Sequence, residues 1–483
     1  QGSGLFSVSG MSQEGKQLQD LLDLLGGEED VLRFWPQLDQ TQRDALANQI
    51  KSLDVSACRA AFSASAHLTV PIKSEILPFG SDRHLSEPNF SAEERRRLFN
   101  LGLGAIARGE VAALVLAGGQ ASRLGSALPK GTLPLGLQLT PKDSLLCLQA
   151  ARLARLQAMA AEAFPDEKNS GITWVVMTSA STASTTLKHL EEVMEANRLD
   201  KNQMITFSQD EIPAFDFEGK FLLDRKDHIT TSPNGNGGVY SSLAPHMPTL
   251  HSKGVKYVHV YCVDNILVKV ADPLSIGLAI DKDADVIVKA VKREKPEEKV
   301  GVICSVRGVP TVVEYSELGE DLSAARDEAG SGELAYRAGN IANHLFSLDF
   351  LDSFVKRDFH LPYHRAIKKI PYINSEGTLM KPSEPNGVKL EQFVFDVFPM
   401  AKNFFILEVA RNEEFSPLKN PDSTGAECMS TCKADIRALH RKWLMKAGTS
   451  KLPEEILVHP SCSYGGENLE SFDGKEFADR VVV

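Results

Sequence analysis

The chain has 483 residues, of which 42% are hydrophobic and 24% charged, with a formal net charge of −11. So long a chain predicts about two or three domains rather than one small core, and its composition is that of an ordinary soluble globular protein. The acidic balance excludes bulk attraction to nucleic acid or anionic lipid, so any polyanionic ligand must meet a local cluster of Lys and Arg.

No apolar run approaches the roughly 18 residues of a membrane span, and no charged-then-apolar leader opens the chain. The cysteines, Cys58, Cys147, Cys262, Cys304, Cys428, Cys432 and Cys462, are scattered, several within apolar strand-like runs such as HVYCVDN and VGVICSVRG. They read as reduced thiols of a cytoplasmic protein. Cys428 and Cys432 do not make a zinc site without two more ligands.

In chain order, the first ten residues, QGSGLFSVSG, stand ahead of Met11 and read as a tag remnant outside the fold. Residues 11–109 form a helical N-terminal region: EEDVLRFWPQLDQTQRDALANQI repeats apolar residues at helical spacing, and in SAEERRRLFNLG Ser91 and Glu94 stand in the relation of a capping box. The Arg95, Arg96 and Arg97 run reads as a solvated helix face. At Val111 the pattern changes. VAALVLAGG is a continuous apolar run ending in glycine, as expected of a strand buried on both faces of a parallel sheet.

A helix follows in PKDSLLCLQAARLARLQAMAAEAF, then a strand at 172–179, a helix around TTLKHLEEVMEAN, and strands at 257–264 and 285–291. This alternation predicts an α/β domain with a largely parallel sheet flanked by helices, taken as 110–420. KREKPEEK reads as a charged surface loop. Residues 421–483 read as a small C-terminal domain.

The loop after the first strand, LVLAGGQASRLGSALPKG at 114–131, carries the chemistry. Ligands of such sheets bind beyond the carboxyl ends of the strands, and small residues let the backbone approach them. A dinucleotide fingerprint would run G-x-G-x-x-G with an acid about 20 positions on. Here the glycines are Gly118, Gly119 and Gly125, and the second strand ends in MTS. A G-x-x-x-x-G-K-[ST] phosphate loop is also absent. Arg123 and Lys130 instead offer two cations, a combination suited to a triphosphate whose outer phosphates leave. Asp264, at the carboxyl end of its strand, reads as a ligand residue over a turn cap. Taken alone, Asn236 in NGNGG reads as part of a tight loop, and His344 as a structural histidine.

The run L-A-G-G-Q-A-S-R-L-G-x-x-x-P-K resembles the signature of sugar-1-phosphate nucleotidyltransferases. NGNGGVY, HVYCVDNILVKVADP, VVEYSE, AGNIANH, PNGVKLEQFVFD and EFSPLKN resemble more specifically the eukaryotic UDP-N-acetylglucosamine pyrophosphorylases, from about residue 31 to 471. The resemblance implies a Rossmann-like, GT-A-like nucleotidyltransferase fold. It implies transfer of uridylyl from UTP to N-acetylglucosamine-1-phosphate, giving UDP-N-acetylglucosamine and pyrophosphate, with the galactosamine epimer as a further substrate.

On the same resemblance, Leu116, Ala117, Gly118, Gly119 and Gln209 hold the uracil, and Gly235 closes over the nucleotide. Arg123 and Lys130 neutralise the outer phosphates, Asp264 carries Mg²⁺ or Mn²⁺, and Lys389 and Lys419 approach the phosphates from the far side. Asn236, Glu314, Tyr315 and Asn340 read the amino-sugar phosphate. The chain is expected as a monomer or homodimer, with no nucleic-acid or membrane partner. The rival readings are a UDP-glucose or broad-specificity pyrophosphorylase, a silent nucleotide-sugar sensor and, more distantly, a dehydrogenase.

Three positions depart from the family pattern. Ala121 and Ser122 stand where Gly and Thr are usual, and Asn234 where Asp is usual. Ala121 would be strained by roughly 1–2 kcal/mol if the loop required φ > 0 there.

Overall fold

Residues 13–67, 71–168, 170–327, 332–355 and 360–477 are described in the computed structural model; the ten residues ahead of Met11 lie outside them. Among the described residues, packing sorts the chain into two units. The first joins residues 1–69, 210–238 and 360–393, and the second joins 70–209, 239–359 and 394–483.

In the first unit, helices α1 (Gln13–Leu25), α2 (Gln40–Ser52) and α3 (Val55–Ser65) accompany four short antiparallel strand pairs. Asp39 starts α2 by accepting from Gln42 N–H while the Gln42 side chain returns to Asp39 N–H, which satisfies two donors that a helix start leaves open. Trp35, Leu46, Ile50, Phe215, Phe221, Val388 and Leu390 share one buried cluster. This unit therefore has a core of its own, drawn from all three stretches of chain.

The second unit is built on a sheet whose main path has eight strands: β1 (His84–Ser86), β2 (Val111–Leu116), β3 (Thr173–Thr178), β4 (Met204–Ser208), β5 (Tyr257–Cys262), β6 (Val286–Lys292), β7 (Ala338–Ser347) and β8 (Phe404–Val409). Their spatial order is β1-β8-β6-β7-β5-β2-β3-β4. Only β7 runs antiparallel to its neighbours on this path. The sheet is thus mixed and largely parallel. Every residue of β2 and of β3 is buried, the property that the unbroken apolar runs of the sequence predict.

Helices α4 (Ala92–Ala107), α5 (Leu145–Ala163) and α6 (Ala183–Ala196) flank the sheet and share its core. Ser91 caps α4 by accepting from Glu94 N–H at 3.1 Å. The helix Met429–Lys446 packs Cys432, Ile436 and Leu439 against Leu133, Leu135, Leu137 and Leu139, so the C-terminal residues share a core with the loop that follows β2. The stretch KREKPEEK is not the simple surface loop expected. Arg293 is fully buried, and its guanidinium donates to Tyr336 O, Pro296 O and Ser323 Oγ.

The strand order locates the ligand edge. From β2 the chain steps outward to β3 and β4, then returns to place β5 on the other side of β2. Leu116 pairs with both Met177 and Cys262, and Thr178 with Ser208, so the carboxyl ends of all four strands lie level. The crevice at such a reversal is where open α/β sheets bind ligands.

Candidate active site

The loop leaving β2 is closed by its own backbone. Ala121 N–H donates to Leu128 O at 3.0 Å, and Lys130 N–H to Gly119 O at 3.1 Å. Ala121 is fully buried and sits at φ −87°, so the strain contingent on a positive φ does not arise. The positive φ falls on Gly125, at +75°. At Gly118 the fit is close: a Cβ would come within 3.2 Å of both Thr178 O and Gln209 Nε2. Leu116, Ala117, Gly118, Gly119 and Gln209 are therefore neighbours along one edge. Arg123 is exposed on the turn Ser122–Leu124, and among the described residues no carboxylate pairs with it.

Lys130 Nζ lies 3.1 Å from Asp264 Oδ2, with each side chain 17% exposed, directly beyond the carboxyl ends of β2 and β5. Two buried polar residues of α5 brace the Asp264 loop. Gln149 Nε2 donates to Val263 O at 3.1 Å, and Arg152 Nη1 donates to Ile266 O and Val268 O at 2.8 and 3.0 Å. Burial pushes the Arg152 guanidinium down to about 10. Neither residue follows from a motif. The signal available in the sequence is a Gln and an Arg on the apolar face of a helix, where each must find partners once buried.

Asp264, Asn340 and Lys419 line one cleft of about 330 Å³, together with Cys262, Lys299, Ile341, Arg411, Phe415 and Glu427. Leu418 N–H donates to Asp264 O at 2.8 Å, which brings Lys419 to the cleft, and Lys419 Nζ stands 3.6 Å from Glu427 Oε1. Burial, with the adjacent Asp264 charge, pushes the Cys262 thiol up to about 12, so it is neutral in the cleft at ordinary pH. Lys299, from the stretch expected to be a surface loop, is part of this wall.

A bulge in β7 presents Asn340. Between Asn343, paired with Lys289, and Asn340, paired with Ala290, the extra residues include Ala342 at φ +50°. Asn340 Oδ1 accepts from Ala342 N–H at 3.0 Å and meets His344 Nε2 at 3.1 Å. Burial, with His259 nearby, pushes His344 down to about 3, so the ring is neutral and its Nε2–H donates to Asn340. The Asn340 carbonyl is thereby occupied, leaving its NH₂ to serve the cleft. Glu314 lies beside it: a Cβ on Gly301 would come 3.2 Å from Glu314 Oε1, and Gly301 O accepts from Asn340 N–H at 2.8 Å. Tyr315 is 44% exposed at the start of its helix.

Gly235, Asn236 and Lys389 belong to the first unit, where they are neighbours. Gly235 has φ +90°, and a Cβ there would strike Gln392 O at 2.3 Å. Gly237 N–H donates to Gln392 O at 2.9 Å, which seats the loop on the strand Gly387–Glu391. Lys389 is on that strand, and its ammonium is shifted down by burial. Asn234, 5% exposed, links the same elements through its backbone, donating to Asp210 O and accepting from Gln392 N–H.

A glycine-rich loop and opposed charges at the reversal of a largely parallel sheet make an α/β protein of the kind that binds a charged nucleotide beyond its strand ends. Residues 91–455 match the family described as UTP–glucose-1-phosphate uridylyltransferase, and the chain belongs to it. Among relatives, it is 46% identical to a Caenorhabditis elegans protein named "Probable UDP-N-acetylglucosamine pyrophosphorylase", over 96% of each chain. It is 40% identical to the mouse "UDP-N-acetylhexosamine pyrophosphorylase-like protein 1", over 95% of each. Among solved structures, the uridine diphosphate N-acetylglucosamine pyrophosphorylase of Trypanosoma brucei superposes with a TM-score of 0.82 at 28% identity, over 96% of this chain and 95% of that one.

Proposed function

We propose that the protein joins UTP and N-acetylglucosamine-1-phosphate to give UDP-N-acetylglucosamine and pyrophosphate, and that it works in the cytoplasm. The observation that carries the mechanism is the Lys130–Asp264 pair at the reversal between β2 and β5, with Lys419 lining the same cleft as Asp264. The sugar is assigned from full-length relatives whose names specify N-acetylglucosamine. The hexosamine name of the mouse relative supports N-acetylgalactosamine-1-phosphate as a second acceptor.

A phosphate oxygen of the sugar phosphate attacks the α-phosphorus of UTP. One P–O bond forms, the bond from the α-phosphorus to the bridging oxygen breaks, and its electron pair leaves on pyrophosphate. Nucleophile and leaving group are already ionised, so positioning and charge neutralisation supply the rate, and no strong base is required. Leu116–Gly119 and Gln209 hold the uracil against backbone, while Arg123, Lys130 and Lys419 neutralise phosphates. Asn340 donates through its NH₂ to a sugar oxygen, with Glu314 and Tyr315 completing sugar recognition.

Asp264, which lines the cleft, offers a divalent cation the hard carboxylate oxygen that Mg²⁺ prefers. Among the described residues no group of three His, Cys, Asp or Glu could hold an ion, so Mg²⁺ or Mn²⁺ would take its remaining ligands from phosphate and water. Such a cation supplies neutralisation of the phosphate charge. Among the described residues no helix is long and apolar enough to cross a membrane.

The test is pyrophosphate release from UTP with N-acetylglucosamine-1-phosphate, N-acetylgalactosamine-1-phosphate and glucose-1-phosphate in parallel. The reading expects the N-acetyl sugars to dominate. Faster release with glucose-1-phosphate would overturn the sugar assignment, and UTP binding with no release from any sugar would leave a sensor.

A further inference from the structure

A buried group of charges lies outside the substrate contacts just assigned. Lys289, in the middle of β6 and 2% exposed, donates to Glu414 Oε2 at 2.5 Å and to Asp272 Oδ2 at 2.7 Å. Lys269 approaches the second oxygen of Glu414, Oε1, at 3.1 Å. Two ammonium groups and two carboxylates make the group neutral, which is what allows four charges to be held in the interior. Asp272 also caps the helix Pro273–Lys282 through Leu274 N–H, so the group ties a strand, a helix start and the end of the short helix Arg411–Glu414 to one point.

From Glu414 the fastening passes to the cleft through backbone. Glu414 O accepts from Asn265 Nδ2 at 2.7 Å, and Asn265 Oδ1 accepts from Ser416 N–H at 2.9 Å. Ile266 N–H donates to Ser416 O at 3.1 Å, and Leu418 N–H to Asp264 O at 2.8 Å. These rungs join the loop after β5, which carries Asp264, to the segment that ends in Lys419. A carboxylate hydrogen-bonded through Oε2 and facing a second ammonium at Oε1 is confined in placement, whereas an apolar anchor would pack without fixing register.

We propose that Glu414, held by Lys289 and Lys269, is a positioning residue that sets the register between the Asp264 loop and the Lys419 segment, and so the spacing of the two charges that serve the transfer. Its consequence for turnover rests on the uridylyltransferase reading; its structural half rests on the ladder alone.

Two variants of the full chain test this. Glu414→Gln is nearly isosteric and removes one charge, while Glu414→Gln with Lys289→Met removes one of each sign and restores neutrality. Backbone hydrogen exchange without ligand is expected to quicken by about tenfold in segments 264–268 and 414–419 but not in β2, β3 or β4. With substrates, kcat is expected to fall about tenfold with KM for UTP unchanged, and to fall no further when the change is added to Lys419→Ala.

Unchanged exchange in both segments, or faster exchange with wild-type kcat, would overturn the proposal. If Glu414→Gln does not fold, the neutral double variant carries the same measurements. Recovery of wild-type exchange and kcat in that variant would reduce Glu414 to charge balance and overturn the proposal too. Failure of the unaltered protein to release pyrophosphate would instead sink the reaction assigned to the site, and the exchange comparison would still decide the register claim.

Discussion

Ala121 shows what a single torsion decides. Its φ of −87° is open to any residue, and its side chain is fully buried beside Leu133 and Leu145. Restoring the more usual glycine should therefore gain nothing. Ala121→Gly is expected to keep kcat within about twofold and to lower stability by roughly 1 kcal/mol, read by denaturant unfolding. Asn340 decides by donor count instead: both interactions of its carbonyl stay within β7, and the role proposed for its NH₂ is to donate to the sugar. Asn340→Asp replaces that donor with an acceptor. KM for the sugar phosphate should rise about tenfold, with KM for UTP unmoved, a split that steady-state kinetics with each substrate varied will show. At this scale the sequence was legible where chemistry leaves a pattern, as at Gly118, Lys130 and Asp264. Asn340 and Glu314 could be named only from family resemblance, because the bulge that presents Asn340 has no signature in the order of residues.

Among the elements, unbroken apolar runs identified β2 and β3, and alternation with helical periodicity identified α5 and α6. What pattern could not show is how closely elements approach. In α4, a Cβ on Gly102 would stand 1.9 Å from Pro273 O, and in the facing helix one on Gly277 would stand 1.8 Å from Leu98 O. Each glycine thus admits the backbone of the other helix. Gly277→Ala would gain about 1 kcal/mol of helix propensity on an exposed helix. Here the clash is with backbone, so a net loss of about 1–3 kcal/mol is expected in denaturant unfolding.

The edge of the sheet has an electrostatic dependence of its own. Burial works to raise the Glu408 carboxyl, but the hydrogen bond and charge of His84 and the charge of Arg337 outweigh it and hold it below the ordinary carboxylate range. A depressed carboxylate stabilises above its unfolded pKa, and the contribution is lost as pH falls through the folded pKa. Glu408→Gln should therefore lower Tm at pH 7, and the gap to wild type should close as pH drops through and below about 4. A gap that stays constant with pH would contradict this account of the β1–β8 edge.

At the scale of the molecule, linear reading divided the chain into helical, α/β and C-terminal segments, whereas packing joins residues 1–69 with 210–238 and 360–393. Composition and periodicity are local quantities, and nothing local announces that Phe215 and Leu390 will share a core with Trp35. The same non-locality separates the assigned residues, with Gly235, Asn236 and Lys389 in one unit and the β2 loop, Asp264, Asn340 and Lys419 in the other.

The central claim is that Lys419, and Asp264 through the divalent cation it would hold, stabilise departing charge rather than simply retain nucleotide. Its most direct test measures kcat for pyrophosphate release beside UTP affinity in Asp264→Ala and Lys419→Ala. The account predicts kcat lower by about 10²–10³ in each, with UTP affinity changed only a few-fold. Variants that keep wild-type kcat, or that lose only UTP affinity, would contradict it.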